Sequence, residues 1–233
     1  MHGWKRWALV AVVVVLVLVV GGPFVYFHFI QGPAPKPFTL DDTTTTSAPS
    51  GSTTPTTTLT SLDGTWKITS GSQAGYRVKE TLVGQSATAV GRTSAVTGSM
   101  TLSGTSVPSA SFTVDMTKVS SDRSQRDDQF QGRIMDTADF PTAKFALSSP
   151  IKLGSVPSAS TTITPSATGK LTLHGTTKTV TIPLSAKRAG NTIEVTGSTT
   201  ITFSDYGIDN PSGGPASVGN NGTMEFLLVL TKS

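Results

Sequence analysis

The chain has 233 residues, with 18 Lys or Arg against 14 Asp or Glu, a net charge of +4 and no cysteine. Disulfide frameworks, Cys-ligated zinc or iron–sulfur centres, thiol nucleophiles and a lipidated cysteine anchor are therefore excluded, and cysteine usage leaves the redox compartment open. The basic excess is spread over a chain that is only 14% charged, without the clustered Lys and Arg of a nucleic-acid surface, so nucleic acid is not an expected partner.

Three segments of unlike chemistry follow one another. In residues 1–30, Lys5 and Arg6 sit between Trp4 and Trp7, and an unbroken apolar run extends from Ala8 to Val20. After Gly21-Gly22-Pro23 the chain continues as a mainly aromatic apolar stretch to Ile30. As a helix, Trp7 to Ile30 would be about 36 Å long, enough for a hydrocarbon core of about 30 Å. Lys5 and Arg6 favour the cytoplasmic side and the tryptophans suit the headgroup level. The competing reading is a cleaved secretory signal, but no A-x-A site follows, and Gly21-Gly22 is succeeded by Pro23 and further apolar sequence. The expectation is a single transmembrane helix in the cytoplasmic membrane, N-terminus inside and the remainder extracytoplasmic.

Residues 31–61 contain 11 Thr, 4 Ser and 5 Pro. Such a composition cannot bury a core and reads as a disordered linker, a tether or stalk with a reach of at most about 96 Å in polyproline II form.

Residues 62–233 are long enough for one domain. Polar and apolar residues alternate through Thr65-Trp66-Lys67-Ile68, Tyr76-Arg77-Val78-Lys79, Ser111 to Met116, Lys144 to Leu147, Lys170-Leu171-Thr172-Leu173, Thr179 to Leu184, Thr192 to Val195 and Thr200-Ile201-Thr202-Phe203. Period-two alternation puts one row of side chains inside and the other in water. Turn signals separate the runs at Ser70-Gly71, Ser103-Gly104, His174-Gly175, Ala189-Gly190-Asn191 and Asn221-Gly222, and His174-Gly175 suits a tight hairpin. No helical pattern recurs between the strands, so the expected class is all-β: an antiparallel barrel of about eight strands, with a two-sheet sandwich second. Ser120 to Gly132 breaks the alternation and predicts one short helix, with Phe130 on the face of Arg126 and Asp127.

Catalytic constellations are thin. His2 and His28 belong to the first segment, so His174 stands alone in the domain and no multi-His metal site can form there. Asp127 and Asp128 would point about 100° apart on a helix and make no acid/base pair. No catalytic residue, metal or cofactor is expected.

Arg126-Asp127-Asp128-Gln129-Phe130, then Ala138-Asp139-Phe140-Pro141-Thr142-Ala143-Lys144-Phe145, then Gly169 to Val180, and finally Phe203-Ser204-Asp205-Tyr206-Gly207-Ile208 resemble the successive signatures of the YceI family, with Asp63-Gly64-Thr65-Trp66 fitting its first strand. The resemblance covers nearly all of residues 62–233. It implies a lipocalin-like β-barrel, periplasmic or secreted, holding a long apolar chain such as a polyisoprenoid or a fatty amide. Many relatives have His where this chain has Gln129, and this domain is expected to be tethered.

An eight-stranded barrel is just wide enough to be filled by side chains or to hold one slim ligand. The alternation turns Phe112, Val114 and Met116 inward against Ser111, Thr113 and Asp115. It likewise turns Tyr76 and Val78 inward against Arg77 and Lys79, and Ile201 and Phe203 against Thr200 and Thr202. With Phe130 from the short helix, Tyr206 from the last turn, and Trp66, Phe140, Phe145, Leu171 and Leu173, these form the expected tunnel lining. Arg126 and Asp127 either orient a lipid head group or lock the short helix to the barrel. Two function classes stay open: a tethered carrier of an isoprenoid or acyl lipid, or an envelope interaction module whose barrel is filled. Oligomeric state is not legible.

Overall fold

The structure, a computed structural model, describes residues 34–40, 61–82, 84–154, 161–213 and 216–233. The expected membrane helix and most of the expected linker lie outside these residues. No helix among the described residues is long and apolar enough to cross a membrane.

The first four strands are β1 (Gly64–Ile68), β2 (Gln73–Leu82), β3 (Gln85–Thr93) and β4 (Val96–Ser103). They are followed by β5 (Ser106–Asp115), β6 (Ser120–Ser121), the helix α1 (Ser124–Gln129) and β7 (Thr142–Leu147). After the two-residue strands β8 (Ile151–Lys152) and β9 (Thr162–Ile163) come β10 (Ser166–Leu173), β11 (Thr176–Ala189), β12 (Thr192–Thr202), β13 (Ala216–Val218) and β14 (Asn221–Lys232). Eight of them form a closed antiparallel ring in the order β1-β4-β5-β7-β10-β11-β12-β14, with β14 returning to β1. Closure leaves no exposed sheet edge in the ring and sets aside the sandwich.

The long strand β14 explains how β2 joins the same wall. Its last residues pair with β1 (Trp66 opposite Lys232, Ile68 opposite Leu230), and its first part pairs with β2 (Ala74 opposite Phe226, Arg77 opposite Thr223). Between them the chain kinks at residues 69–72. The Ser72 hydroxyl lies in the kink, donating to the Val229 carbonyl at 3.2 Å and accepting from the Val229 amide at 2.9 Å. A side chain thus takes the place of a ladder partner for a buried stretch of backbone. Ser72 is 2% exposed. Ser72→Ala should cost about 1–3 kcal/mol by leaving the Val229 amide unpartnered, read as a lower denaturant midpoint at unchanged slope.

The hairpin β10–β11 turns on His174 and Gly175, both at positive φ (48° and 72°), the two-residue geometry that matches strand twist. Asn221-Gly222, expected as a turn, instead opens β14. The glycine is there for close packing: a Cβ would stand 2.9 Å from Val78 Cγ2 and 3.3 Å from the Phe203 ring. The short helix α1 forms where expected and runs into one wide turn over Phe130–Ile134. Among the described residues, the buried core is supplied entirely by side chains between Trp66 and Leu230.

Residues 34–40 lie as a strap on the outside of the barrel. Arg77 donates to the Pro35 carbonyl at 2.6 Å, Arg92 donates to the Lys36 carbonyl, and the Arg92 guanidinium sits 3.8 Å over the Phe38 ring. Both arginines are held by Glu225, at 3.3 and 2.8 Å. Glu225 is 4% exposed although it belongs to the outward row of β14. The strap and the two guanidinium groups account for that burial without leaving the carboxylate unpaired.

Candidate functional site

The inward rows enclose two cavities. The larger, of about 640 Å³, occupies the half of the barrel beneath α1. This volume falls in the range of small-molecule sites, about 300–1,000 Å³. Its wall is built by period two: Ala74, Tyr76, Val78, Glu80 and Leu82 from β2, Phe112 and Val114 from β5, and Gly222, Met224 and Phe226 from β14. Met116, Leu173, Ile201, Phe203, Phe130, Met135 and Ile208 complete it. Three thioether side chains, Met116, Met135 and Met224, give the wall adaptable, polarizable surface.

The rim is polar. Arg123, Gln125, Arg126, Gln129 and Arg133 border the cavity from α1 and the wide turn after it. Arg126 pairs with the inward-facing Glu80 at 3.3 Å and with Asp122 at the start of the helix. Asp127 Oδ1 accepts from the Ser121 amide at 2.8 Å and the Ser121 hydroxyl at 2.6 Å. Of the two roles left open for this pair, the contacts are those that fasten the helix to β2 and β6; Arg126 borders the cavity and Asp127 does not. Gln129 accepts from Arg133 Nε at 3.1 Å, and the same guanidinium reaches the Pro211 carbonyl.

Tyr76 stacks on Phe130 at 4.9 Å between centroids and 13° between planes, so the ring from the short helix closes over the row from β2. Burial pushes the Tyr76 phenol far above the usual tyrosine range, with Arg126 pulling the other way. Tyr206 is also raised by burial, then by Asp205, and its hydroxyl finds no hydrogen-bond partner among the described residues. In the unfolded chain both phenols would ionise near pH 10, while the fold holds each proton to higher pH. Their contribution is therefore whole below pH 10 and is lost as pH rises beyond it. Stability should fall above pH 10 by up to about 1.4 kcal/mol per pH unit from Tyr76, with Tyr206 acting in the same direction. Alkaline thermal melts of Tyr76→Phe, shallower than the parent's, check this.

The smaller cavity, of about 120 Å³, lies in the opposite half and is bordered by apolar side chains from Leu62 to Leu230, with Lys187 and Arg188 at its edge. Phe112 and Phe226 are the two residues that border both cavities. Their rings meet at 5.4 Å, and Phe145 stacks on Phe112 at 5.4 Å.

Of the residues expected to line a tunnel, Tyr76, Val78, Phe112, Val114, Met116, Phe130, Leu173, Ile201 and Phe203 border the larger cavity and Phe145 the smaller. Four lie elsewhere. Trp66, fully buried, packs into the floor of the barrel with its Nε1 donating to the Leu62 carbonyl at 2.9 Å, and Leu171, 2% exposed, is packed away from both voids. Phe140 precedes β7 and meets His174 at 4.5 Å with the rings tilted by 58°, against Gly175, so it belongs to the hairpin turn. Tyr206 is buried in the last turn, where its carbonyl accepts from His174 Nδ1 at 3.1 Å. That bond and the Phe140 contact occupy His174. Glu80, Arg123, Arg133, Met135 and Met224 were not anticipated. Glu80 was within reach, since period two carries the row Tyr76, Val78 on to it.

No curated protein matches the chain. Among solved structures, a polyisoprenoid binding domain from Saccharophagus degradans superposes with a TM-score of 0.59 at 14% identity, covering 73% of this chain and 99% of that one. Burkholderia cenocepacia BcnA gives 0.54 at 21% identity, covering 70% and 98%. A Campylobacter jejuni YceI protein gives 0.51 at 12% identity, covering 61% and 84%. These likenesses establish a shared barrel. The sequence itself matches the YceI-like domain over residues 66–230, which takes in the strands, the short helix and the last turn just described, and the chain belongs to that family.

Proposed function

We propose that this protein is a binding protein, not an enzyme, that carries one isoprenoid or acyl-chain lipid in the upper half of its barrel, tethered to the outer face of the cytoplasmic membrane by residues 1–30. The observation that carries the reading is the cavity of about 640 Å³, walled by apolar rows and rimmed by polar side chains from one helix. A hydrocarbon tail gains about 0.8 kcal/mol per buried CH₂, so such a wall supplies affinity with few polar contacts. The family match supports a barrel of this kind, and a relative of the same fold is described as a polyisoprenoid binding domain. Among the described residues no group of three or more His, Cys, Asp or Glu is placed to hold a metal. The tether rests on the sequence of residues 1–30 alone.

The filled-barrel alternative loses support from the void itself. Native mass spectrometry of the purified full chain, followed by lipid extraction, tests the reading. One lipid per chain is expected. A lipid-free chain that also takes up no added prenol or fatty alcohol overturns it. For the tether, protease added to intact protoplasts should release the barrel, and full protection would overturn the topology.

A further inference from the structure

The barrel is crossed at mid-height by aromatic rings. Phe112 stands on β5 and Phe226 on β14, and these strands are not neighbours: β4 and β1 lie between them in the ring. Their rings nevertheless meet at 5.4 Å. A contact between strands three apart spans the lumen, and it does so where the two cavities end against each other, since these two side chains are common to both linings.

The rings are seated by missing side chains. A Cβ on Gly197 would stand 2.6 Å from Phe226 Cζ, and one on Gly169 would run into the far edge of the Phe145 ring, which stacks on Phe112. Glycines facing aromatic rings across adjacent strands leave room for each ring to lie against backbone, a position from which the ring cannot move outward. Rings held in this way form a fixed floor to the upper cavity.

Resting on the proposed lipid-binding function, we infer that Phe112 and Phe226 form a stop that sets the depth of the upper cavity and so the length of tail the protein prefers. A tail entering past the arginine-bearing helix gains contact with each added methylene until it reaches the two rings. Beyond that length the next carbons must stay outside or displace a ring. The ligand class is an amphiphile with a single tail of limited length. The small apolar cavity below the stop is spare volume that becomes continuous with the upper one if a ring is cut back.

The test uses the full chain, stripped of bound lipid and checked for a cooperative melt. Straight-chain 1-alkanols lengthened by two carbons at a time are titrated and followed by native mass spectrometry. Affinity should rise about fourfold per methylene and then stop rising at one length. In Phe112→Ala, and in Phe226→Leu as the milder variant should the first melt without cooperativity, the rise should continue to longer tails than in the parent, whatever the affinity for short ones. A break at the same length in parent and variants overturns the stop. If the parent takes up no alkanol and no prenol of any length, the lipid-binding reading itself is overturned, a different result from an unmoved break.

Discussion

Trp66→Ala is expected to destabilise the barrel by about 3–5 kcal/mol, the range for removing a large aromatic side chain from a core that cannot collapse around the gap. Trp66 has 0% exposure and its indole Nε1 donates to the Leu62 carbonyl, so the substitution both empties a volume and strands an acceptor. Its strand, β1, pairs with β4 on one side and β14 on the other, and is where the ring shuts. Loss there acts on closure and not on one edge. For a domain of this size the cost corresponds to a fall in Tm of about 6–20 °C. Because Trp66 borders neither cavity, lipid retained per folded molecule should be unchanged. A variant melting within a degree or two of the parent would contradict the packing described for the floor.

Val114→Trp should give the opposite pattern, loss of bound lipid with little loss of stability. Val114 is 4% exposed and borders the larger cavity, where about 640 Å³ is open to the added ring. In a packed interior the same enlargement would cost about 1–3 kcal/mol through overpacking. Parallel measurement of extracted lipid and melting temperature separates the two cases. Lipid lost with the melt kept fits a cavity that binds, whereas a lowered melt with lipid kept would mean that the void at Val114 does not serve the ligand.

Where one face of a strand meets the interior and the other meets water, the sequence announces it. β5 alternates cleanly from Ser111 to Asp115 and β10 from Lys170 to Leu173, and the inward rows read from them face the interior, where Phe112, Val114 and Leu173 border a cavity. The hairpin at His174-Gly175 was legible for a local reason, since the backbone demands positive φ at both residues. β14 hid its faces because Leu227 and Val229, on its outward row, are buried as well as Phe226, Leu228 and Leu230 on the inward one. With both rows apolar the period vanishes, and Met224 went unnoticed with it. Asn221-Gly222 misled because a small residue required by a neighbouring Val78 and Phe203 looks, in one dimension, like a turn. Phe140, Leu171 and Trp66 show the remaining limit: alternation tells inside from outside but not lined from filled, which depends on strands far apart in sequence.

The strap changes the polymer physics of everything before the barrel. Residues 35–38 are held on the outer wall by Arg77 and Arg92, and the Ser61 carbonyl accepts from Lys232 of β14. Between Ile30 and the first described strap residue, Ala34, an extended chain covers about 14 Å at most. Under the proposed anchoring, that short span is the first part of the tether. It attaches through Arg77, Arg92 and Glu225 at the level of the larger cavity. A barrel on such a tether samples a thin layer next to the bilayer, where the effective concentration of membrane lipid is highest.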